Sequence, residues 1–585
     1  MHHRYDIIRE CIKLNGKLNH CLRIQKMKAL AQIVFLLPLT LGAFHDSTNT
    51  DGTEFVTSFL YTNAPDPQNF EFSLYFLPTT NTTTSVTCQY WSNKNSKMIN
   101  ITFAAKYKDP NKHIFVYNDV ITDGHYGDGQ PKNLTDPRLY ITSTAPIKVI
   151  AKVFNLFTKQ GDMYLVPSTS FASTKFLFKL PQPVLGREQV VHLLALPNKD
   201  TNAQIIVTGP QGHNLVNQTV KLNGALGGNQ IILPITTIDV GPSIYISSDQ
   251  PMVVIGAVIC ADLNAFNVNA SSSNNTCDYA AYFPQQIGTW DCVSNLTTPD
   301  QRFTVGDHTG NIFISPADST CGSSIPVSVY SNINPANVSQ ETLLPKLVSS
   351  YQIVHSYISE LAVSSSNALL SMTRVGTPKA TKNATMDGIF MHYVPDTTQY
   401  YSGETQFITL YDGDYYEIYV ENYTINASLT LNGQNVLIND QTSKNLSIFN
   451  RTYTVAKITV PKAGLNVFNC PLNYIGYIIS KNNGNKNTVY GYITGFNKSK
   501  LQTYLASDVT PVTAIVESFT STNTTTTSAF SETTTTTTTT TTLAFSETTT
   551  IEGNTIYTTT QSTSKMNLNL ITISLLFISK IFFLQ

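Results

Sequence analysis

The stretch LYITSTAPIKVIAKV, Leu139 to Val153, is written again as IYISSDQPMVVIGAV from Ile244 to Val258 and, more loosely, as LAVSSSNALLSMTRV from Leu361 to Val375. The three align without gaps. Ile141, Ile246 and Val363 coincide, as do Ser143, Ser248 and Ser365, while Pro146 and Pro251 align with Ala368. The copies begin 105 and 117 residues apart. Apolar residues alternate before the serine and a β-branched run follows the proline, which reads as strand, tight turn, strand. Proline suits the first residue of a strand, where no ladder donor is needed. Each copy is followed by an aromatic-rich step ending in proline: Tyr164 to Pro167, Ala281 to Pro284 and His392 to Pro395. Two markers in one order predict a repeated domain.

Turn-rich clusters of Asn, Gly, Pro, Asp and Ser punctuate short apolar runs throughout the body, and no long stretch has helical periodicity. With 30 Tyr and 29 Phe, this predicts an all-β protein of tandem β-sandwich-like repeats. The repeats set provisional boundaries at 45–183, 184–294, 295–412 and, for a partial fourth unit with a degenerate copy GLNVFNCPLNYIGYII from Gly464, 413–507. Formal net charge is −1 and charged residues are 13% of the chain, so nothing in the charge balance favours nucleic acid. Solubility must come from Asn, Thr, Ser and sugar.

The two ends read differently from the body. Residues 1–43 form a leader: a basic stretch, an apolar run from Leu30 to Leu41 and a small-residue step at Gly42-Ala43, the layout of a secretory signal. Either Met27 is the start, or the first 26 residues extend the basic region. Residues 508–564 are threonine-rich, with AFSETTT at Ala529 and again at Ala544. This composition predicts a disordered, mucin-like stalk. A hydrophobic tail closes the chain at 565–585. Its 17 residues from Leu568 to Leu584 span about 26 Å as a helix, short of a ~30 Å bilayer core. No basic flank follows, and Lys580 interrupts it. A GPI-anchor signal fits better than a single-pass helix, with Gly553, Asn554, Ser562 and Ser564 as candidate acceptors.

Cleavage near Ala43 leaves six cysteines, Cys88, Cys260, Cys277, Cys292, Cys321 and Cys470, which are disulfide candidates in a secreted chain. Nearness in sequence pairs Cys260 with Cys277 and Cys292 with Cys321, leaving Cys88 for Cys470. N-glycosylation candidates are Asn81, Asn100, Asn133, Asn217, Asn269, Asn274, Asn295, Asn337, Asn383, Asn422, Asn426, Asn445, Asn450, Asn497 and Asn523.

Signatures of chemistry are sparse. No nucleophile elbow, zinc-protease, Walker or dinucleotide glycine motif is present, so the chain reads as a non-enzyme without cofactor or metal. His192 and His355 lie inside apolar strands, as hydrogen-bonded core histidines do. Asp119, Asp123 and Asp128 offer oxygen to calcium, although a glycine-rich loop explains them as well. Tyr411 to Tyr416, YDGDYY, reads as a hairpin turn, with an exposed aromatic patch as the alternative. Glu404 and Glu417 are near in sequence without forming a recognisable sugar-processing pair.

The hairpins LYITSTAPIKVIA and IYISSDQPMVVIGAV resemble those of the IgGFc-binding protein N-terminal domain family. The links Asp162 to Pro167 and Cys277-Asp278-Tyr279, with Pro284 and Trp290, are similar to that family's aromatic-to-proline step. So are Tyr393-Val394-Pro395 with Tyr400-Tyr401, Leu431-Asn432-Gly433 and Tyr490-Gly491-Tyr492. The likeness runs from about Glu54 to Phe496. It implies an extracellular β-rich module of animal surface and mucus-associated glycoproteins, whose founding member was named for binding the Fc part of IgG. The cysteine-rich von Willebrand type D repeats of that founding member are missing here.

These readings converge on a glycoprotein on the outer face of the plasma membrane. It would be held by its C-terminal anchor and would present a β-rich module to an extracellular protein or glycan ligand. The alternative is a structural component of a surface coat or mucus layer with no discrete ligand.

Overall fold

The computed structural model describes residues 48–62, 69–121, 129–157, 160–209, 212–236, 241–262, 277–287, 294–316, 324–332, 338–352, 360–377, 388–424, 427–438, 443–481 and 489–505. The leader, the threonine-rich segment, the tail and the candidate anchor acceptors Gly553, Asn554, Ser562 and Ser564 lie outside these residues. The described part is all-β, with helix limited to single turns such as Tyr117–Val120.

The recurring phrase is not a hairpin. Its first, second and fourth copies are single strands, Leu139–Asn155, Ser243–Asp262 and Gly464–Ile479, of 17, 20 and 16 residues. The third is broken into Glu360–Ser365 and Leu370–Gly376. Within each copy the two halves pair with different neighbours and never with each other. In the first, Leu139–Ser143 lies between Gly52–Thr57 and Thr84–Ser92, whereas Ile147–Asn155 lies between Phe70–Pro78 and Gly161–Val166. One strand thus passes from one layer of a sandwich to the other by bending at a corner. Alternating apolar residues satisfy a hairpin and a layer-switching strand equally well, so the pattern alone cannot separate them.

The aligned serines and prolines form that corner. Ser143 Oγ donates to the Ala145 carbonyl at 2.8 Å, and Ser248 Oγ donates to the Gln250 carbonyl at 2.7 Å. Ser365 Oγ instead accepts the N–H groups of Asn367 and Ala368. Pro146 has no N–H to leave unpaired where the ladder changes partners, and its carbonyl accepts both the N–H and the hydroxyl of Thr79.

The same topology occurs four times. The front half of the phrase strand is flanked by the first and third strands of a repeat, the back half by the second and the last. In the second repeat these are Ser173–Lys179, Thr201–Thr208, Gln189–Ala195 and Cys277–Tyr282. In the third they are Asp300–Val305, Ile325–Ser331, Thr309–Pro316 and Phe390–Val394. In the fourth they are Tyr401–Thr409, Thr430–Leu431, Tyr415–Glu421 and Gly491–Ile493. All three expected boundaries therefore move. A division at 183/184 assigns Ser173–Lys179 to the first repeat, yet it pairs with the second phrase strand. A division at 412/413 likewise strands Tyr401–Thr409, which belongs to the fourth. The aromatic-to-proline step ends a repeat, so the divisions follow Pro167, Pro284 and Pro395. The fourth repeat is complete, not partial.

The repeats are also not a simple open row. The last strand of each touches the next around a circuit: Gly161–Val166 meets Cys277–Tyr282, which meets Phe390–Val394, which meets Gly491–Ile493, which returns to Gly161–Val166. A seam between the chain's first and last described residues closes it. Thr50 N–H donates to the Phe496 carbonyl, Asn49 N–H to Asn497 Oδ1, and Lys148 Nζ joins Asp51 at 2.8 Å and the Thr494 carbonyl at 2.6 Å. Buried apolar clusters run across neighbours. One holds Ile150 and Leu165 of the first repeat together with Phe303 of the third and Tyr419 of the fourth.

Candidate functional site

The four last strands bring the three aromatic-to-proline steps and the Tyr490-Gly491-Tyr492 segment of the fourth repeat to one axis. Asp162 and Asp278 stitch them together. Asp162 accepts from the N–H groups of Met163 (2.8 Å), Ala281 (3.1 Å) and Gly491 (3.3 Å). Asp278 accepts from Tyr279 (2.9 Å), Gly161 (3.1 Å) and Ile389 (3.1 Å). Two carboxylates therefore reach all four repeats. Burial pushes both well above the usual carboxylate range, while the backbone N–H groups pull them back. Beside them His392 stacks between Phe390 and Tyr477, with centroids 5.6 and 4.3 Å away. The space left at the axis, walled by Tyr164, Tyr282, Tyr393 and Tyr492, is only about 20 Å³. These aromatic steps are core, and the hub has no room for a ligand.

A larger concavity of about 730 Å³ lies between the third and fourth repeats. Its floor is the outer face of the sheet holding Ile325–Ser331. Alternation there buries Ile325, Val327 and Val329 and turns Ser328 and Tyr330 outward. Gln301, Ser364, Ser328 and Gln340 stand in one row across four strands, because Gln301 pairs with Ser364, Ser364 with Ser328 and Ser328 with Gln340. Gln340 Nε2 donates to Ser328 Oγ at 3.0 Å.

The opposite wall is the turn joining Ser443–Ile448 to Arg451–Thr459. Ile448 pairs with Arg451, so only Phe449 and Asn450 span the turn. Their φ values are +55° and +59°, the pair of left-handed residues that a type I′ turn requires. Asn tolerates this; a bulky Phe does so at a cost. The strained turn sets the Phe449 ring edge-on to Tyr330, with centroids 5.8 Å apart and planes at 89°. Arg451 is the charged side chain among the described lining residues, and Glu421 holds it at 2.7 Å. The groove is therefore close to neutral, rich in hydroxyl and amide groups, and carries two aromatic rings. No single-residue signal in the sequence marks it, since its two walls come from different repeats.

The residues singled out from sequence distribute as follows. Cys88 and Cys470 are free and buried, which overturns their pairing. Each fills its own core as a small apolar residue, Cys88 on Thr84–Ser92 and Cys470 on the fourth phrase strand. Burial pushes the Cys470 thiol up to about 12 and raises that of Cys88 as well. Cys260 is disulfide-bonded, and its partner lies outside the described side chains, as do Cys277, Cys292 and Cys321. Of the sequon asparagines, Asn81, Asn100, Asn133, Asn217, Asn422, Asn445 and Asn450 are exposed and Asn295 and Asn497 half-buried. Asn269, Asn274, Asn337, Asn383, Asn426 and Asn523 lie outside the described residues. His192 is a hydrogen-bonded core histidine, its Nδ1 2.8 Å from Ser58 Oγ; His355 lies outside the described residues.

Asp119 accepts from Ser92 Oγ, and Asp123 and Asp128 lie outside the described residues. Among the described residues no group of three or more potential metal ligands assembles. The Tyr411–Tyr416 segment is not a hairpin, because the strands on either side pair with others. Nor is it an exposed aromatic patch: Asp414 and Tyr416 are buried and Tyr411 and Tyr415 partly so. Glu404 accepts from Tyr107, whereas Glu417 is buried against Arg374 at 2.6 Å, so the two serve separate contacts. Among the described residues no helix is long and apolar enough to cross a membrane.

No family model matches the chain, and no curated protein matches it. Among solved structures it has a likeness to an anti-sigma factor domain-containing protein from Clostridium clariflavum, at 8% identity over 72% of this chain and 100% of that one. The TM-score of 0.09 carries no argument about fold or function.

Proposed function

We propose that this chain is the recognition module of an extracellular, cell-surface glycoprotein, with the closed β ring as a rigid head. The observation that carries the reading is the placement of the sequons: in every described instance the asparagine reaches the surface, although the ring buries most of its side chains. A chain with 13% charged residues gains the solvation it lacks if those positions carry sugar. The leader, the threonine-rich segment and the removable-type tail complete the picture as a secreted head on a stalk with a GPI anchor. The resemblance to the IgGFc-binding N-terminal domain family supports the same reading. The test is expression of the full chain in animal cells, followed by peptide-N-glycosidase and phosphatidylinositol-specific phospholipase C. A drop of several glycan masses and release from the cell surface are expected. A protein unchanged in mass and retained inside the cell would end the proposal; glycosylated protein that resists the phospholipase would end its GPI part alone.

A further inference from the structure

We infer that the groove between the third and fourth repeats is a binding site for a neutral saccharide, which deepens the recognition reading above and names its ligand class. A sugar ring offers hydroxyls that both donate and accept, and a C–H face that packs on an aromatic ring. The groove supplies both counterparts. Gln301, Ser364, Ser328 and Gln340 form a row of amide and hydroxyl groups able to donate and accept in the same way. Tyr330 and Phe449 supply the rings. Its volume of about 730 Å³ falls within the ~300–1,000 Å³ typical of small-ligand sites.

Charge narrows the class further. Arg451 is already held by Glu421, so an anionic sugar gains no uncompensated cation here. The wall is also built at a cost, since Phe449 is held at a φ of +55°. Strain of this kind persists where the surrounding structure over-determines it, and it clusters at ligand sites.

Two sources can supply the saccharide. Asn450, the first residue of an N-x-T sequon, is exposed and lines the groove. A glycan on this residue would start inside the site. The other source is a glycan of another molecule. Both present the same chemistry, and the experiment separates them.

The test uses the full chain purified from animal cells in three forms: wild type, Asn450→Gln, and Asn450→Gln combined with Tyr330→Ala. Mannotriose, chitotriose and sialyllactose are the probes, read by ligand-detected saturation-transfer NMR and titration. Asn450→Gln should bind at least one neutral probe, and sialyllactose no better. Adding Tyr330→Ala should weaken this at least tenfold, as should the exposed-site variant Gln340→Ala, which leaves the core untouched. Wild type at least tenfold weaker than Asn450→Gln identifies the chain's own glycan as the resident occupant; equal binding identifies an external one. Absence of neutral-probe binding to Asn450→Gln, or binding that neither groove substitution changes, overturns the site. Glycosidase sensitivity is recorded on the same preparations. A glycosylated protein that binds no probe thus fails this inference without failing the surface reading, and an unglycosylated one that binds does the reverse.

Discussion

Replacing Asp278 with alanine should open the ring at its centre. The carboxylate accepts from three buried N–H groups, those of Tyr279 in its own repeat, Gly161 in the first and Ile389 in the third. Each donor left without an acceptor costs about 1–3 kcal/mol. Relief from burying a carboxyl whose pKa burial raises offsets part of this, leaving a loss of roughly 3–6 kcal/mol. Asp278→Asn keeps one accepting oxygen and should lose about 1–3 kcal/mol. A raised folded-state pKa means that the wild-type carboxyl is most favourable at acid pH and less so as pH rises through that value. The deficit of the Asn variant should therefore narrow from acid to neutral pH. Urea midpoints of the purified protein, followed by far-UV circular dichroism, read all three quantities. An Ala variant within about 0.5 kcal/mol of wild type, the range of an ordinary surface change, would refute the assignment of Asp278 as the clasp.

Three other perturbations follow from the same geometry. His192 has its pKa lowered to about 3 by burial, so wild type should lose stability as pH falls from about 6.5 towards 3. His192→Gln lacks this loss, and its urea deficit should shrink over that window; a deficit constant between pH 7 and 4 would contradict the buried neutral ring. Arg374 binds Glu417, Thr309 Oγ1 and the Asp307 carbonyl. Arg374→Met should cost about 3–5 kcal/mol by leaving Glu417 buried without its cation, with the Tyr419 hydroxyl still donating to it, and adding Glu417→Gln should recover a measurable part in a double-mutant cycle. Cys88 and Cys470, free and buried, should resist a thiol reagent in the native protein and react, without reductant, once urea unfolds it. Mass spectrometry showing the two joined would refute the separate cores.

The class of fold was legible because it depends on short-range alternation. The apolar residues of Gly464 to Ile479 marked out the whole fourth phrase strand, and the serine and proline of the first two copies marked their corners. The corner's geometry was not legible. A strand that folds back and a strand that bends into a second layer bury the same residues, and only the partners differ. Those partners are remote: Asp162 finds Gly491 329 residues away. Elimination misled for the cysteines, because Cys88 and Cys470 were paired only as the two left over. The groove was invisible for a related reason. Gln301, Ser328 and Tyr330 look like ordinary outward residues of a polar face until the turn at Phe449 is laid opposite them. Nothing about a phenylalanine announces a left-handed backbone.

Closure of the ring also sets a demand on how the protein is made. Among the described residues, the contacts that complete the circuit arrive late from the ribosome, since Gly491 and Phe496 follow every other described element except the short strand Thr503–Leu505. Until they emerge, Asp162 lacks one of its three backbone donors and the tyrosines at the axis lack their last wall. Such long-range closure is slow, and the waiting surface is the kind that chaperones bind. A nascent chain stopped before residue 491 would therefore hold an open circuit whose aromatic inner edge waits for the last repeat to dock.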